Sequence, residues 1–124
     1  MSVPRLSQGD IVLVPFPFTN YFDNKRRPAL VLSTSTFNQS GSDVVLVAIS
    51  SNLSKNSPYE VSVLCTHKDF VQTKLKQSSA IKCGKIFSFS ISQIDGRLGT
   101  LPSDIMEQVK VVISLLLGVK NRNV

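Results

Sequence analysis

Short runs of β-branched and apolar residues, interrupted by prolines, restrict most of this chain to β-strands. The first run, residues 11–14, is followed by Pro15 and Pro17, which cannot continue a helix and cannot donate a ladder hydrogen bond. Two more runs of the same kind occupy residues 29–32 and 44–49. Because apolar segments this short and this rich in valine and isoleucine are typical of buried strands, we expect a strand at each place.

The second strand has a proline at its start. Pro28 is acceptable as the first residue of that strand, which puts Arg27 at a loop-to-strand junction. A fourth strand is indicated by Val61, Val63 and Cys65, which alternate with other residues along the chain.

Two segments are less regular. Residues 33–42 are rich in Ser, Thr, Asn and Gly and are expected to form a connection. Residues 79–89 fit one more strand, with an interruption or bulge near Gly84.

The C-terminal part has a different period. Apolar residues recur there at spacings of four, three and four, at Ile105, Val109, Val112 and Leu116. Pro102 and Ser103 precede this pattern and Gly118 follows it, as at the two ends of a helix. Several strands followed by one helix predict an α+β fold that is mostly β: a curled antiparallel sheet, most simply an open barrel, with a C-terminal helix.

Length and composition are those of a small intracellular protein. The 124 residues are expected to form one domain, residues 1–124. Cys65 and Cys83 have neither the spacing of a zinc site nor that of a disulfide framework, which favours the reducing cytoplasm. We expect no signal peptide in residues 1–8 and no membrane span, because no run of about eighteen apolar residues occurs.

The chain is basic, with 14 Lys and Arg against 8 Asp and Glu and a formal charge of +6. A positive charge on a small surface attracts polyanions, and it attracts an acidic protein equally. It is also common where charge provides solubility alone. The charge alone therefore does not identify the function, and the sequence motifs are needed for that.

The polar segment at residues 19–27 carries two aromatic residues and a cluster of cations, and it is a candidate binding loop. The three consecutive cations at residues 25–27 could hold backbone phosphates or simply keep the loop soluble. The two aromatic side chains could stack on unpaired bases or cover the mouth of a barrel.

Two segments near the start of the chain carry a family resemblance. GDIVLV at residues 9–14 and RPALVLS at residues 27–33 resemble the paired signature that opens toxins of the MazF/PemK family. The likeness continues at residues 47–50, 85–88 and 99–102, so it covers nearly the whole chain.

This resemblance implies both a fold and a function. The fold would be a small curled SH3-like antiparallel barrel, assembled as a homodimer. The function would be that of the toxin of a type II toxin–antitoxin system, a metal-independent endoribonuclease that cleaves single-stranded mRNA. Its partners would be RNA and a cognate antitoxin protein, with DNA reached only through the antitoxin complex. It would use no cofactor, no metal and no membrane.

The resemblance also implies site residues. In the family, an arginine before the strand-opening proline and a threonine after the third strand act on the scissile phosphate, and the matching residues here are Arg27 and Ser50. Serine in place of threonine keeps the hydroxyl and loses a methyl group. A second departure is Cys83-Gly84, where relatives carry a small residue and an acidic one. RNA binding is assigned to Asn20, Tyr21, Phe22, Asp23, Lys25, Arg26 and Lys85.

Cleavage of RNA without a metal uses the neighbouring 2′-hydroxyl as nucleophile, so the protein has to align the phosphate and stabilise its developing charge. The guanidinium of Arg27 can do so with two parallel N–H donors, and Ser50 can donate to a non-bridging oxygen. From spacing alone, a surface arginine and a turn-forming serine are the commoner cases. The resemblance is what favours catalysis.

The sequence indicates no clear general base. Asp23 is the nearest carboxylate to Arg27 along the chain, but an exposed loop aspartate usually has no catalytic role. His67 is the only histidine, which excludes a ribonuclease mechanism built on two histidines of one chain. We expect it in a surface loop.

Two other functions stay open at this point. A catalytically inactive relative with the same barrel could bind a protein target, as related toxin folds that act on a topoisomerase do. A bare RNA-binding barrel could be left inactive by Ser50 and by the missing acidic residue near Gly84. The presence of Arg27 in its motif argues against the relative that binds a protein target. Incubation with RNA in the presence of a chelator distinguishes the inactive RNA-binding barrel from an endoribonuclease.

Overall fold

The computed structural model describes residues 5–15, 26–53 and 57–119 of the chain. These contain strands β1 (Asp10–Pro15), β2 (Arg26–Val31), β3 (Asp43–Ser50), β4 (Glu60–Val63), β5 (Ser79–Ser90) and β6 (Arg97–Thr100), and helices α1 (Ser35–Ser40) and α2 (Ser103–Leu117). Short 3₁₀ turns lie at Phe70–Thr73 and Ile91–Gln93.

The six strands form one antiparallel sheet in the order β4-β5-β3-β2-β1-β6. The sheet is curled into a half-barrel, and α2 follows the last strand. This confirms the predicted fold class, a mostly β barrel with a C-terminal helix. Neither α1 nor α2 is long and apolar enough to cross a membrane.

The sheet is buried on both faces. Since successive side chains of a strand point to opposite faces, Ile11 and Val12 enter different hydrophobic clusters. The first cluster joins the sheet to α2 through Ile105 and Val109. The second lies on the opposite face and includes Val12, Val14, Val31, Val44 and Leu46. Burial on both faces explains why the strands are continuous apolar runs with little polar alternation.

The strands predicted at residues 11–14 and 44–49 are confirmed as the interiors of β1 and β3. The start of β2 was predicted wrongly, since the strand begins at Arg26 and Pro28 lies inside it. Pro28 pairs with Leu13 of β1, whereas pairing of β2 with β3 begins only at Ala29. Proline is tolerated because β2 has a hydrogen-bonded neighbour on one side alone at that point.

Three further differences come from contacts that a linear pattern does not contain. β4 ends at Val63, so the predicted Cys65 lies in the exposed turn that follows. The connection at residues 33–42 contains α1, which begins after Thr34, whose hydroxyl accepts a hydrogen bond from the Phe37 N–H at 3.3 Å. β6 has only four residues and no apolar alternation, and it is a strand because it pairs with β1.

The bulge predicted near Gly84 is confirmed. Val47 of β3 pairs with Ile86 while its neighbour Ala48 pairs with Lys82, so residues 83–85 bulge out of the β3–β5 register. Cys83 at the start of the bulge is completely buried. Burial, with a smaller contribution from the charge of Glu60, raises the pKa of the Cys83 thiol to about 11.

The predicted C-terminal helix is confirmed as α2. Its apolar positions Ile105, Met106 and Val109 are buried against the sheet. Gly118 ends the helix in the left-handed conformation, with φ of 68°, and its N–H donates to the Leu115 carbonyl.

β6 and the 3₁₀ turn at Phe70–Thr73 approach each other closely at Gly99. A methyl group on Gly99 would fall on the carbonyl oxygens of Gln72 and Thr73. These are backbone atoms, so they cannot move aside without shifting the turn. The absence of a side chain at Gly99 is therefore what allows the turn to dock on the sheet.

We expect Gly99→Ala to lower the free energy of unfolding by about 1–3 kcal/mol, the usual cost of overpacking. Urea unfolding followed by circular dichroism measures this change. Gly84→Ala is the matched control, because a methyl group at Gly84 meets no atom within 4 Å and the residue has no positive φ. Equal stability of the two variants would contradict the close approach.

Candidate functional site

A cavity of about 340 Å³ lies where the facing ends of β2 and β3 meet the segment at residues 74–77. Five apolar residues line it: Leu13, Pro28, Ile49, Leu75 and Leu98. Polar and charged side chains also line it, from Arg26, Arg27, Ser50, Ser51, Lys74, Lys76, Gln77 and Ser79. An apolar site with a few convergent polar groups is the usual form of a ligand site.

The sheet register brings Arg27 and Ser50 to this cavity together. β2 and β3 pair at Ala29 with Ala48 and run antiparallel. Continuing that register by two residues sets Arg27 opposite Ser50, just past the last hydrogen-bonded pair. Directly opposed residues of antiparallel strands project on the same face of the sheet. The two residues that the sequence singles out therefore line one cavity from adjacent strands.

The Ser50 hydroxyl already has one partner. It accepts a hydrogen bond from the Asn52 backbone N–H at 3.0 Å, which is the turn-forming contact that spacing alone favours for a serine after a strand. A hydroxyl has one hydrogen to donate and two lone pairs. The turn contact uses a lone pair, so it fixes the oxygen while leaving the O–H available to donate into the cavity.

The cavity is strongly cationic. Four of its lining residues are Arg or Lys, and no Asp, Glu or His of the described residues lines it. Arg26 is partly neutralised, because its Nε lies 3.0 Å from an Asp95 carboxylate oxygen at the exposed edge. Cations gathered without interspersed carboxylates favour a negatively charged ligand.

The remaining predicted RNA-binding residues divide into two groups. Lys85 is exposed within the bulge of β5 and does not line the cavity. The other residues lie outside the part of the chain that the structure describes: Asn20, Tyr21, Phe22, Asp23 and Lys25. Asp23, the carboxylate considered as a base, is among them, so the described lining contains no candidate general base.

The segment at residues 74–77 was not singled out from the sequence, yet it forms one wall of the cavity. The sequence pattern that could have indicated this segment is the alternation Lys74, Leu75, Lys76. A half-buried apolar residue separates two exposed cations there. That signal is weak on its own, because it is equally typical of a solvated edge.

His67 lies away from this cavity, in the turn before the 3₁₀ helix. It is partly buried, its Nε2 lies 2.9 Å from an Asp104 carboxylate oxygen, and its Nδ1 accepts from the Asp69 N–H at 3.0 Å. The hydrogen bond from His67 lowers the pKa of Asp104. His67 thus links its turn to the start of α2. Nowhere in the described ranges do three His, Cys, Asp or Glu side chains converge as metal ligands would.

A second cavity, of about 380 Å³, lies beside α1 and is less suited to an anion. Arg5 is its only cation among the described residues. Its buried amide, Asn38, already donates to the Leu6 carbonyl at 2.9 Å. The cavity that holds Arg27 and Ser50 is therefore the stronger candidate, although it is the smaller of the two.

Comparison with protein families identifies one match. The sequence model of a family described as PemK-like, MazF-like toxin of type II toxin–antitoxin system matches residues 7–117. That range includes every described residue of the cavity. No curated protein sequence matches the chain.

Solved structures with the same fold cover almost the whole chain. A MazE–MazF complex from Deinococcus radiodurans is 26% identical, with a TM-score of 0.72 over 94% of this chain and 99% of that one. An endoribonuclease in complex with its cognate antitoxin, from a mycobacterial species, is 16% identical, with a TM-score of 0.73 over 94% and 98%. The Mycobacterium tuberculosis toxin MazF-mt6 is 16% identical, with a TM-score of 0.71 over 90% and 99%. The two mycobacterial structures support the fold alone.

Proposed function

Because the chain belongs to the PemK-like, MazF-like toxin family of type II toxin–antitoxin systems, we propose that it is a toxin that cleaves single-stranded RNA without a metal ion. The observation that carries this proposal is the position of Arg27 and Ser50 on adjacent strands of one cationic cavity. A phosphodiester is the ligand class that such a pair would hold, since a guanidinium and a hydroxyl both donate to phosphate oxygens.

The reaction that suits these groups is attack by the 2′-hydroxyl on the adjacent phosphorus. The O2′–P bond forms, the P–O5′ bond breaks, and the products are a 2′,3′-cyclic phosphate and a 5′-hydroxyl. A base takes the proton from O2′, and the departing O5′ receives a proton. Solvent can supply both the base and the second proton. Negative charge builds on the non-bridging oxygens in between, and this is the charge that the cavity has to stabilise.

Arg27 and Ser50 would act on that charge in different ways. Arg27 would contribute electrostatic stabilisation and orientation through its fork of N–H donors. Ser50 contributes one directed O–H, and its oxygen is held by the Asn52 N–H before RNA binds. A donor whose oxygen is already held in position needs less reorganisation when the transition state forms.

The proposed partners follow from the family and from the charge of the chain. A MazE–MazF complex is a relative at 26% identity, which supports a cognate antitoxin as the protein partner of this toxin. We further propose that the whole chain is one toxin domain that acts as a homodimer in the cytoplasm. DNA would be met only through the antitoxin complex.

The decisive experiment is incubation of the purified chain with a single-stranded mRNA transcript in excess EDTA. We expect cleavage, because no step of the proposed reaction uses a metal ion. Products should end in 2′,3′-cyclic phosphate and 5′-hydroxyl groups, which end-specific labelling detects. RNA binding without cleavage would instead support a catalytically inactive barrel.

Arg27→Ala is expected to lower kcat by about 10²–10³-fold, the usual cost of removing one charge-stabilising donor. The fold should persist, because the side chain is exposed at the open end of β2. Arg27→Lys keeps the charge and loses the two-pronged geometry, so partial activity there would assign part of the effect to orientation. Single-turnover cleavage of one transcript measures all three proteins, and an unchanged rate for Arg27→Ala would remove this residue from the mechanism.

Ser50→Ala is expected to lower kcat by at least about tenfold, because the phosphate then has one directed donor fewer. Ser50→Thr should retain activity, since it restores a hydroxyl with the same bonding capacity. Ser51→Ala is the matched control, a neighbouring exposed serine that lines the same cavity. If Ser50→Ala and Ser51→Ala reduce the rate equally, the hydroxyl at position 50 has no special part in the reaction.

A further inference from the structure

Two lysines, Lys74 and Lys76, line the cavity from the segment that follows the 3₁₀ turn. We propose that Lys74 and Lys76 bind a backbone phosphate adjacent to the one that is cleaved, so that the RNA strand crosses the cavity from the Arg27 side to this wall. The proposal deepens the function above and rests on it. It concerns binding of the strand rather than the chemical step.

The wall is rigid where it carries the lysines. Thr73 is completely buried, and its hydroxyl donates to the Phe70 carbonyl at 2.7 Å and accepts from the Leu75 N–H at 3.1 Å. The side chain of Leu75 packs against the hydrophobic cluster between the sheet and α2. The far end is held as well, because the Ser79 hydroxyl donates to the Gln77 carbonyl at 3.0 Å. The two lysines therefore project from a fixed backbone.

Lys74 has an unusual backbone conformation. Its φ of 60° and ψ of 14° are left-handed, and it is the only residue other than glycine with positive φ among those described. A lysine in this region is strained, where glycine or asparagine would be at ease. The conformation ends the 3₁₀ turn, where the Lys74 N–H donates to the Val71 carbonyl at 3.2 Å. Here it directs the chain so that Lys74 and Lys76 both line the cavity.

Neither lysine is neutralised within the described part of the chain. Lys74 and Lys76 are exposed and form no ion pair there, whereas Arg26, Lys82 and Lys110 each have a carboxylate partner. Two lysines of like charge in one wall of the cavity repel each other. A bound polyanion would relieve that repulsion, and a single-stranded nucleic acid supplies several phosphates in a row.

The volume of the cavity limits how much of an RNA strand can enter it. At about 340 Å³ it lies at the small end of the range for ligand sites, roughly 300–1,000 Å³. A space this small suits one nucleotide unit. The phosphates on the two sides of that nucleotide would then meet different walls, one at Arg27 and Ser50 and the other at the lysines.

Binding of a phosphate that does not react strengthens the affinity for substrate and for transition state equally. Removal of the lysines should therefore raise KM and leave kcat unchanged, in contrast to removal of Arg27. It should also reduce the salt dependence of binding, because fewer phosphates of the strand are neutralised. The expected change in the log–log slope is about 0.7 when the contact with this one phosphate of a single strand is lost.

The test compares Lys74→Asn, Lys76→Gln and the double variant with the unsubstituted protein. Asparagine is chosen at position 74 because it tolerates the left-handed conformation. Lys68→Gln is the matched control, since Lys68 is exposed in the preceding turn, carries the same charge and does not line the cavity. Thermal unfolding verifies that each variant is folded.

Two probes separate binding from chemistry. A mixed-sequence RNA oligonucleotide, fully 2′-O-methylated so that it cannot be cleaved, reports the affinity at several KCl concentrations. An unmodified transcript reports kcat and KM. For the double variant we expect a salt slope smaller by about 0.7, a KM raised about tenfold and a kcat within about twofold of the parent. Lys68→Gln should match the parent in KM, in kcat and in slope.

The outcomes distinguish this inference from the function on which it rests. Parental KM and slope in the double variant would overturn the phosphate contact, and so would a decrease confined to kcat. A parent chain that binds the methylated probe with a lysine-dependent slope but never cuts the transcript would overturn the proposed activity, while supporting the role of the lysines in binding.

Discussion

The structure depends on where hydrogen bonding between β2 and β3 stops. The last paired residues are Ala29 of β2 and Ala48 of β3. The residue before Ala29 is Pro28, which has no N–H to donate to β3. Beyond that point the two strands continue side by side without a ladder, so their side chains can face a cavity. Arg27 and Ser50 are the residues that the register carries into this opening. The sheet thus supplies a rigid base for both groups, which is what positioning at the scale of a phosphate requires.

The wall at residues 74–77 belongs to a part of the chain that contributes little regular structure. The 3₁₀ turn at Phe70–Thr73 docks on β6 only because Gly99 has no side chain, and the lysine-bearing segment follows directly. The cavity is therefore formed between a strand end and a turn that the core holds in place through Leu75. The charge of the cavity has the same sign as the charge of the whole chain. The chain has a net charge of +6, and four cations line this one cavity. Long-range attraction and local binding of a polyanion would then act at the same place.

Ser50 illustrates how two interpretations of one residue can both hold. A serine after a strand is expected to bond its own backbone, and Ser50 does so through Asn52. That contact uses the oxygen as an acceptor and leaves the hydrogen free to donate. The turn therefore holds the oxygen in place, and the hydrogen remains available to a ligand in the cavity.

By itself, the sequence determined which segments are strands and which is the terminal helix. Continuous apolar runs, the break near Gly84 and the period between residues 105 and 116 are local signals, and β1, β3, β5 and α2 follow them closely. It also indicated Arg27 and Ser50, through the family resemblance. The short β6, the interior position of Pro28 and the lysine wall were decided only by tertiary structure. β6 is a strand because it pairs with β1. Lys74 and Lys76 line the cavity because Gly99 allows the preceding turn to approach the sheet. Such contacts join residues far apart along the chain, and no periodicity within one segment encodes them.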